Sequence, residues 1–136
     1  MRLARVVLVA FSLLLSAGVV QARKAELVDP APISIPAGLD QAQVSKEIRR
    51  ALIGRGWEVT GEQPGEIDST LHLREHVASI KVTFDASQVR IGYVDSTNLD
   101  FAQKHGQRYI HGNYLGWIGF LVNDITTNFK VTSQEG

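Results

Sequence analysis

The sequence predicts an α+β domain in which two helices cover one face of a four-stranded antiparallel sheet, in two layers. Apolar residues recur at helical spacing in two stretches, and between these stretches apolar and polar residues alternate as they do in strands. The order is helix, four-stranded meander, helix. Each element has one apolar face, and burying these faces together gives the two layers.

The first 22 residues have the layout of a secretory signal peptide. Arg2 and Arg5 form a positive start, residues 6–15 are apolar except for Ser12, and Ala22 closes a small-residue cleavage site. The apolar run is shorter than the roughly 20 residues of a membrane-spanning helix. We therefore expect cleavage and export, with no stable membrane span afterwards. An uncleaved N-terminal anchor is the alternative.

The charge balance and the lack of cysteine exclude several classes of protein. The chain has 14 basic and 14 acidic side chains, and loss of the leader with its two arginines leaves 12 against 14. A near-neutral domain lacks the basic surface of a nucleic-acid binder and the basic amphipathic helix of a membrane-surface protein. With no cysteine, there is no disulfide framework, thiol catalysis or thiolate metal site.

Residues 23–38 form a proline-rich segment ahead of a single domain that we place at residues 39–130. Its prolines exclude a helix and disfavour a central strand. They are Pro30, Pro32 and Pro36. We predict a tether or an extended segment along the edge of the domain, attached through Ile33 and Ile35. Residues 131–136 are predicted to be a flexible tail.

The first helix begins after Asp40, which is placed to cap its N-terminus. An apolar stripe at spacings of three and four residues follows, made of Val44, Ile48, Ala51 and Leu52. Glycines then end the helix, because glycine takes the left-handed C-terminal conformation at low cost. They are Gly54 and Gly56.

Four strands are predicted next, at residues 57–60, 67–74, 77–85 and 89–95. Ile67, Leu71 and Leu73 fall on one face of their strand, as do Ile80, Val82 and Phe84 on theirs. Polar residues occupy the opposite face, which indicates an antiparallel sheet with one solvated side.

The second helix is predicted from an apolar stripe that follows a polar loop. The stripe comprises Ile110, Tyr114, Trp117, Ile118, Leu121, Ile125 and Phe129. His111 is placed on this helix beside the stripe. Trp117, like Trp57 earlier in the chain, is expected to be a core or half-buried anchor, although a ring lining a binding pocket is an alternative.

The loop at residues 95–100 is the first candidate site. Its short polar side chains build turns, but loops between a sheet and a helix also contact ligands. Asp95, Ser96 and His111 could in principle form a nucleophilic set, which requires hydrogen bonds from serine to histidine and from histidine to carboxylate. No G-x-S-x-G turn surrounds Ser96, and catalysis is therefore the weakest of the three alternatives.

The four histidines do not have the spacing of a metal site. His72 and His76 are four residues apart, but on a strand that enters a turn, where that spacing does not bring both rings to one ion. His105 lies in a loop. Zinc needs three or four convergent ligands, so we predict no bound metal and no cofactor.

Three glycines form a row on the second helix: Gly112, Gly116 and Gly119. Each costs a helix interior about 1 kcal/mol relative to alanine. A close backbone contact would offset this cost, made by the first helix, a partner helix or a ligand. Otherwise the glycines are exposed and merely tolerated.

Several stretches together resemble a family of small bacterial exported proteins that are described as hypothetical periplasmic proteins or lipoproteins. The stretches are Gly56-Trp57, Pro64-Gly65-Glu66-Ile67, Asp95-Ser96-x-Asn98-Leu99 and Ile110-His111-x-x-Tyr114-x-x-Trp117. The resemblance covers roughly residues 38–125. It implies an α+β domain and a periplasmic location, and it supplies no activity. This chain lacks the cysteine that carries the lipid, which favours a soluble periplasmic form over a lipoprotein.

The sequence therefore favours a non-catalytic binding or accessory module with a protein or small-molecule partner in the cell envelope. Its candidate binding residues are Asp95, Ser96, Asn98, His111, Tyr114 and Trp117. Two alternatives stay open. One is a small hydrolase that uses Ser96 and His111, and the other is a homo-oligomer joined through the row of three glycines.

Overall fold

A computed structural model describes residues 24–135 and shows an α+β domain with two helices and two antiparallel sheets. The α+β class predicted from the sequence is thereby confirmed. The predicted signal peptide at residues 1–22 lies outside the described residues.

The described part of the chain has eight strands and two helices. In chain order the elements are β1 (Lys24–Glu26), β2 (Ile33–Ser34), α1 (Gln41–Gly54), β3 (Glu58–Gln63), β4 (Glu66–Leu73), β5 (His76–Phe84), β6 (Gln88–Thr97), β7 (Ala102–Lys104), β8 (Gln107–His111) and α2 (Gly112–Glu135). The second helix thus continues through residues 131–135, for which the sequence predicted a flexible tail.

Helix α1 follows the sequence prediction closely because its start is fixed by side chains. The Asp40 carboxylate accepts the backbone N–H of Gln43 at 2.8 Å, and the Gln43 side chain accepts the backbone N–H of Asp40 at 2.9 Å. This reciprocal pair satisfies two N–H groups that a helix start otherwise leaves without partners. The predicted apolar stripe is buried, and Glu47 is buried beside it.

The larger sheet has five strands in the order β2-β6-β5-β4-β3, all antiparallel. Ile67, Val82 and Ile91 are cross-strand neighbours at its centre, and all three are buried. The predicted four-stranded sheet was wrong in extent. Strand β2 adds a fifth strand, and residues after β6 form part of a second sheet that the sequence did not indicate.

The proline-rich segment lies along the edge of β6. Ile33 is the cross-strand partner of Val89, the Ile35 N–H donates to the Ser87 carbonyl at 2.9 Å, and the Asp29 carboxylate accepts the Tyr93 N–H at 3.2 Å. Ile33 and Ile35 are two residues apart and both pair with β6, so Pro32 and Pro36 alternate with them and occupy positions whose missing N–H would point away from β6. An edge strand tolerates proline for this reason.

The smaller sheet has the strand order β1-β8-β7. Strands β7 and β8 are joined by His105 and Gly106, with φ of 52° and 78°. Positive φ at both central residues is the signature of the type I′ turn, whose twist matches that of a β-hairpin. His105 lies in a turn, in keeping with the predicted loop, but the two strands on either side of it were not predicted from the sequence.

Helix α2 begins at Gly112, two residues later than predicted. The prediction that Ile110 and His111 lie on this helix was wrong, since both belong to β8 and pair with β1. His111 instead caps the helix, because its Nδ1 accepts the backbone N–H of Asn113 at 3.1 Å. The remaining predicted stripe is buried except for Trp117, which is half-buried.

One hydrophobic core joins both helices and the five-stranded sheet. Trp57 is 3% exposed and belongs to this core, which agrees with the expectation that it is a core anchor. Leu73, predicted to face inward, is 43% exposed because it lies at the last position of β4, beside the turn.

Of the two helices in residues 24–135, neither has both the length and the apolar character needed to cross a membrane.

Candidate functional site

A β-bulge in β6 decides where the first candidate residues point. Ile80 pairs with Tyr93, but the next residue back, Ser79, pairs with Asp95, so Val94 is an extra residue in β6. Ser96 therefore shares the inner face of the sheet with Tyr93, and Asp95 lies on the outer face. Because β6 continues through Thr97, the predicted loop was placed three residues too early.

Ser96 and Tyr114 belong to an aromatic cluster around Tyr93. The Tyr93 and Ser96 hydroxyl oxygens lie 2.8 Å apart. The Phe101 ring stacks on the Tyr93 ring with 4.9 Å between ring centres, and the Tyr114 ring meets the Tyr93 ring edge-on with 5.6 Å between centres. Burial raises the pKa of the Tyr114 hydroxyl well above its ordinary value, and it also raises that of Tyr93. Both phenols therefore stay protonated near neutral pH, and neither serves there as a base.

The Tyr93 cluster also connects the two sheets. The Arg108 guanidinium on β8 lies 6.0 Å from the centre of the Tyr93 ring and 3.6 Å from the Asp29 carboxylate, which in turn accepts the Tyr93 N–H. These contacts hold β8 and the proline-rich segment against β6. The cluster consequently has a structural explanation that requires no ligand.

A second group of residues forms where β6 leaves the large sheet. His76 Nδ1 lies 2.6 Å from the Asn98 carbonyl oxygen, and the Asn98 side-chain amide donates to the Glu75 carbonyl at 2.9 Å. The next carbonyl, that of Leu99, accepts the backbone N–H of His111 at 2.7 Å. The segment after β6 is thus fixed both to the turn between β4 and β5 and to the last residue of β8, directly before α2.

At this junction the half-buried His76 ring lies near two other half-buried rings. The His76 ring centre lies 6.2 Å from that of His111 and 6.2 Å from that of Trp117. We call His76, Asn98, His111 and Trp117 the histidine–tryptophan surface. It brings together three of the six residues predicted from the sequence. The fourth member, His76, was considered from the sequence only as a metal ligand beside His72, and no metal site was expected there.

Trp117 also lines a small cavity of about 80 Å³ beside this surface. The other lining residues are Arg55, Trp57, Leu71, Leu73 and Phe120. Phe120 is 51% exposed. The Arg55 guanidinium lies 4.6 Å above the Phe120 ring and 2.7 Å from the Asp124 carboxylate. This hydrogen bond raises the pKa of Arg55 and lowers that of Asp124, so both remain charged over the physiological range.

Strained backbone is concentrated around the same surface. Arg74, Asn98 and Asp100 have φ of 56°, 58° and 54°. The left-handed region costs an ordinary L-residue about 1–2 kcal/mol, and less for asparagine and aspartate. Such residues persist where the surrounding contacts hold them, and they cluster at binding and catalytic sites.

The geometry for nucleophilic catalysis is not formed. The Ser96 hydroxyl is paired with Tyr93, and His111 Nδ1 is occupied by the Asn113 N–H. No hydrogen bond joins Ser96 to His111 between residues 24 and 135, and Asp95 lies across the sheet from Ser96. In the same range no group of three or more histidine, aspartate or glutamate side chains is placed to hold a metal ion.

Two of the three glycines in the row, Gly116 and Gly119, face outward, whereas Gly112 is half-buried. A methyl group added at Gly116 or Gly119 would meet no atom within 4 Å beyond its chain neighbours and the backbone of its own helix. Neither glycine therefore lies against α1, so a contact between the two helices does not offset the cost of placing glycine in the interior of α2. A partner helix, a ligand, or simple tolerance of an exposed glycine are the remaining explanations.

Comparisons with protein-family models, with curated proteins and with solved structures find no match to this chain.

Proposed function

We infer that the protein is an exported, periplasmic, non-catalytic binding or accessory module that uses the histidine–tryptophan surface. The observation that carries this proposal is the grouping of the half-buried His111 and Trp117 rings beside His76, whose Nδ1 contacts the Asn98 carbonyl. The leader-like first 22 residues and the resemblance to small exported bacterial proteins support the location.

The surface has the composition of a site that holds a group by its flat or apolar side. Trp117 and the two histidine rings supply aromatic area, and the neighbouring cavity of about 80 Å³ has room for part of an apolar side chain or ring. Sites of this kind combine an apolar floor with a few fixed polar groups that set orientation. Asn98 and His76 are the polar groups here.

The surface is also held rigid before any partner arrives. Asn98 uses its carbonyl oxygen for His76 and its side-chain amide for Glu75, so it is fixed at both ends. Rigid groups lose less conformational entropy on binding, which favours affinity. The strain at Asn98 and Arg74 is consistent with a surface whose shape matters.

The test is binding by matched variants that keep the fold. Trp117→Ala should lose capture of an envelope component that the wild type retains, whereas Val131→Ala should keep it. Val131 is a suitable control because it is 49% exposed near the far end of the same helix. Circular dichroism and urea unfolding would establish that both variants fold. A folded Trp117→Ala protein that captures the same component at the same affinity would remove the proposal.

Export is tested separately on the full chain. Expression in a Gram-negative host should yield a periplasmic protein whose mass corresponds to a start at Arg23, after cleavage behind Ala22. A full-length product that fractionates with the inner membrane would instead support an uncleaved anchor.

A homo-oligomer is a second candidate, favoured by the exposed face of α2. Gly116 and Gly119 are open, and the neighbouring Phe120 is 51% exposed. Light scattering should then show an oligomer that Gly116→Leu dissociates, and a monomer at high concentration would exclude it.

A further inference from the structure

Hydrogen bonds at the histidine–tryptophan surface require opposite tautomers of its two histidines. A backbone N–H can only donate, so the contact from Asn113 requires an unprotonated Nδ1 on His111, with the proton on Nε2. A carbonyl can only accept, so the contact with Asn98 requires His76 to carry its proton on Nδ1. The two rings thus have different proton requirements although their centres are only 6.2 Å apart.

Protonation affects these two contacts differently. A His76 imidazolium still donates from Nδ1, and its bond to Asn98 survives. A His111 imidazolium carries protons on both nitrogens and cannot accept the Asn113 N–H. That N–H lies in the first turn of α2, where backbone donors have no partner within the helix and depend on a capping group.

The groups that face His111 come from β1, β5, the segment before β7 and the start of α2. On β1 its cross-strand partner is Lys24, and on β5 the facing group is His76. The third neighbour is the start of α2, whose free N–H groups form the positive end of the helix dipole. Strand β7 pairs with β8 only from Gln107 to Tyr109. The residues just before β7 also pack against His111, since the Leu99 carbonyl accepts its backbone N–H, and the charged residue there is Asp100. Within residues 24–135, no carboxylate forms an ion pair with its ring.

We propose that His111 is a pH-sensitive cap: its protonation in mild acid releases the first turn of α2 and loosens the Trp117 side of the histidine–tryptophan surface. Trp117 lies five residues after Gly112, the first residue of the helix, so its position depends on that turn. Resting on the proposed function, the consequence is that partner binding is strongest near neutral pH and weakens in acid.

The first test reads the tautomers directly in the free wild-type protein. Ring nitrogen chemical shifts at neutral pH should show the proton of His111 on Nε2 and that of His76 on Nδ1. A proton on Nδ1 of His111 overturns the proposal, whatever the protein binds.

The second test is amide hydrogen exchange at Asn113, measured at about pH 7.5 and about pH 5.5, on either side of the ordinary histidine range near 6.5. After correction for intrinsic rates, wild-type protection should fall about fivefold or more in acid, the effect expected for loss of a capping group. His111→Asn keeps a capping oxygen that does not titrate, so its protection should be the same at both pH values. The matched control, His72→Asn, alters an exposed histidine on β4 and should behave like the wild type.

Either of two results would contradict the proposal: unchanged wild-type protection in acid, or an equal loss in His111→Asn. Because both tests use the free protein, they stand apart from the binding assay. Loss of binding in Trp117→Ala with no pH effect at Asn113 would retain the proposed function and reject the cap. Unchanged binding in Trp117→Ala together with a pH effect at Asn113 would retain the cap and reject the histidine–tryptophan surface as the binding site.

Discussion

Replacing the two exposed glycines of α2 with alanine should stabilise the protein. Beyond the chain neighbours and the backbone of the same helix, no atom lies within 4 Å of the position that a Cβ would take at Gly116 or Gly119, so the added methyl groups cause no clash. Alanine is more favourable than glycine in a helix interior by about 1 kcal/mol, which gives about 2 kcal/mol for the double variant. That is a large increment for a domain whose expected stability is roughly 5–15 kcal/mol.

Urea unfolding at constant pH measures this change. The midpoint should rise while the slope with denaturant stays the same, because the surface exposed on unfolding hardly changes. In thermal unfolding, an added 2 kcal/mol corresponds to roughly 6–10 °C for a chain of this size. A double variant no more stable than the wild type would refute the reasoning, since it would mean that these positions are not free helix interior.

Gly106 provides the matched control of opposite sign. Its φ of 78° lies in the left-handed region, in the turn between β7 and β8. Alanine there should destabilise the protein by about 1–2 kcal/mol, although its methyl group would also meet open space.

If Gly116→Ala and Gly119→Ala add stability but abolish self-association, the glycines are retained for a partner helix at the expense of stability.

Three further changes test other parts of the structure. Ser96→Ala removes the hydroxyl contact with Tyr93 and should cost about 1 kcal/mol in urea unfolding without affecting binding, whereas the hydrolase alternative requires loss of an activity. Leu121→Ala opens the centre of the core and should cost about 2–5 kcal/mol. The Asp85 carboxylate accepts the Ser87 and Gln88 N–H groups, which lowers its pKa below the unfolded value near 3.9. The stabilisation that ionised Asp85 provides is therefore complete above its unfolded-state pKa and is lost as the pH falls through its lower folded-state pKa. Asp85→Asn should therefore reduce the loss of stability that the wild type shows in acid. An unchanged acid dependence would contradict this.

Local signals in the sequence were sufficient where one short stretch determines the structure. Asp40 and Gln43 define the start of α1 by themselves, and the alternation of apolar residues locates β4 and β5 to within a residue or two. The same reasoning failed at the start of α2. Ile110 fits the helical spacing as well as it fits a strand, and only its pairing with Ala25 shows that it belongs to β8.

The candidate site was less predictable because it depends on contacts between distant residues. The bulge at Val94 reverses the faces of Asp95 and Ser96, and simple alternation places them the wrong way round. His76 and Asn98 are 22 residues apart, and no pattern in the sequence links them. The β7–β8 hairpin could have been found, since a His-Gly pair between two short alternating stretches is a possible type I′ turn.

The position of the proline-rich segment has a consequence for handling and engineering the protein. Residues 24–34 contain both β1, the edge strand of the smaller sheet, and β2, the edge strand of the larger sheet. This one stretch of chain therefore covers an edge of each sheet. A version beginning at residue 38 would leave the β6 edge bare from Val89 towards Tyr93. Bare edges of this kind pair with other chains, and such a protein should aggregate through its sheets even though its helices and most of its core are intact.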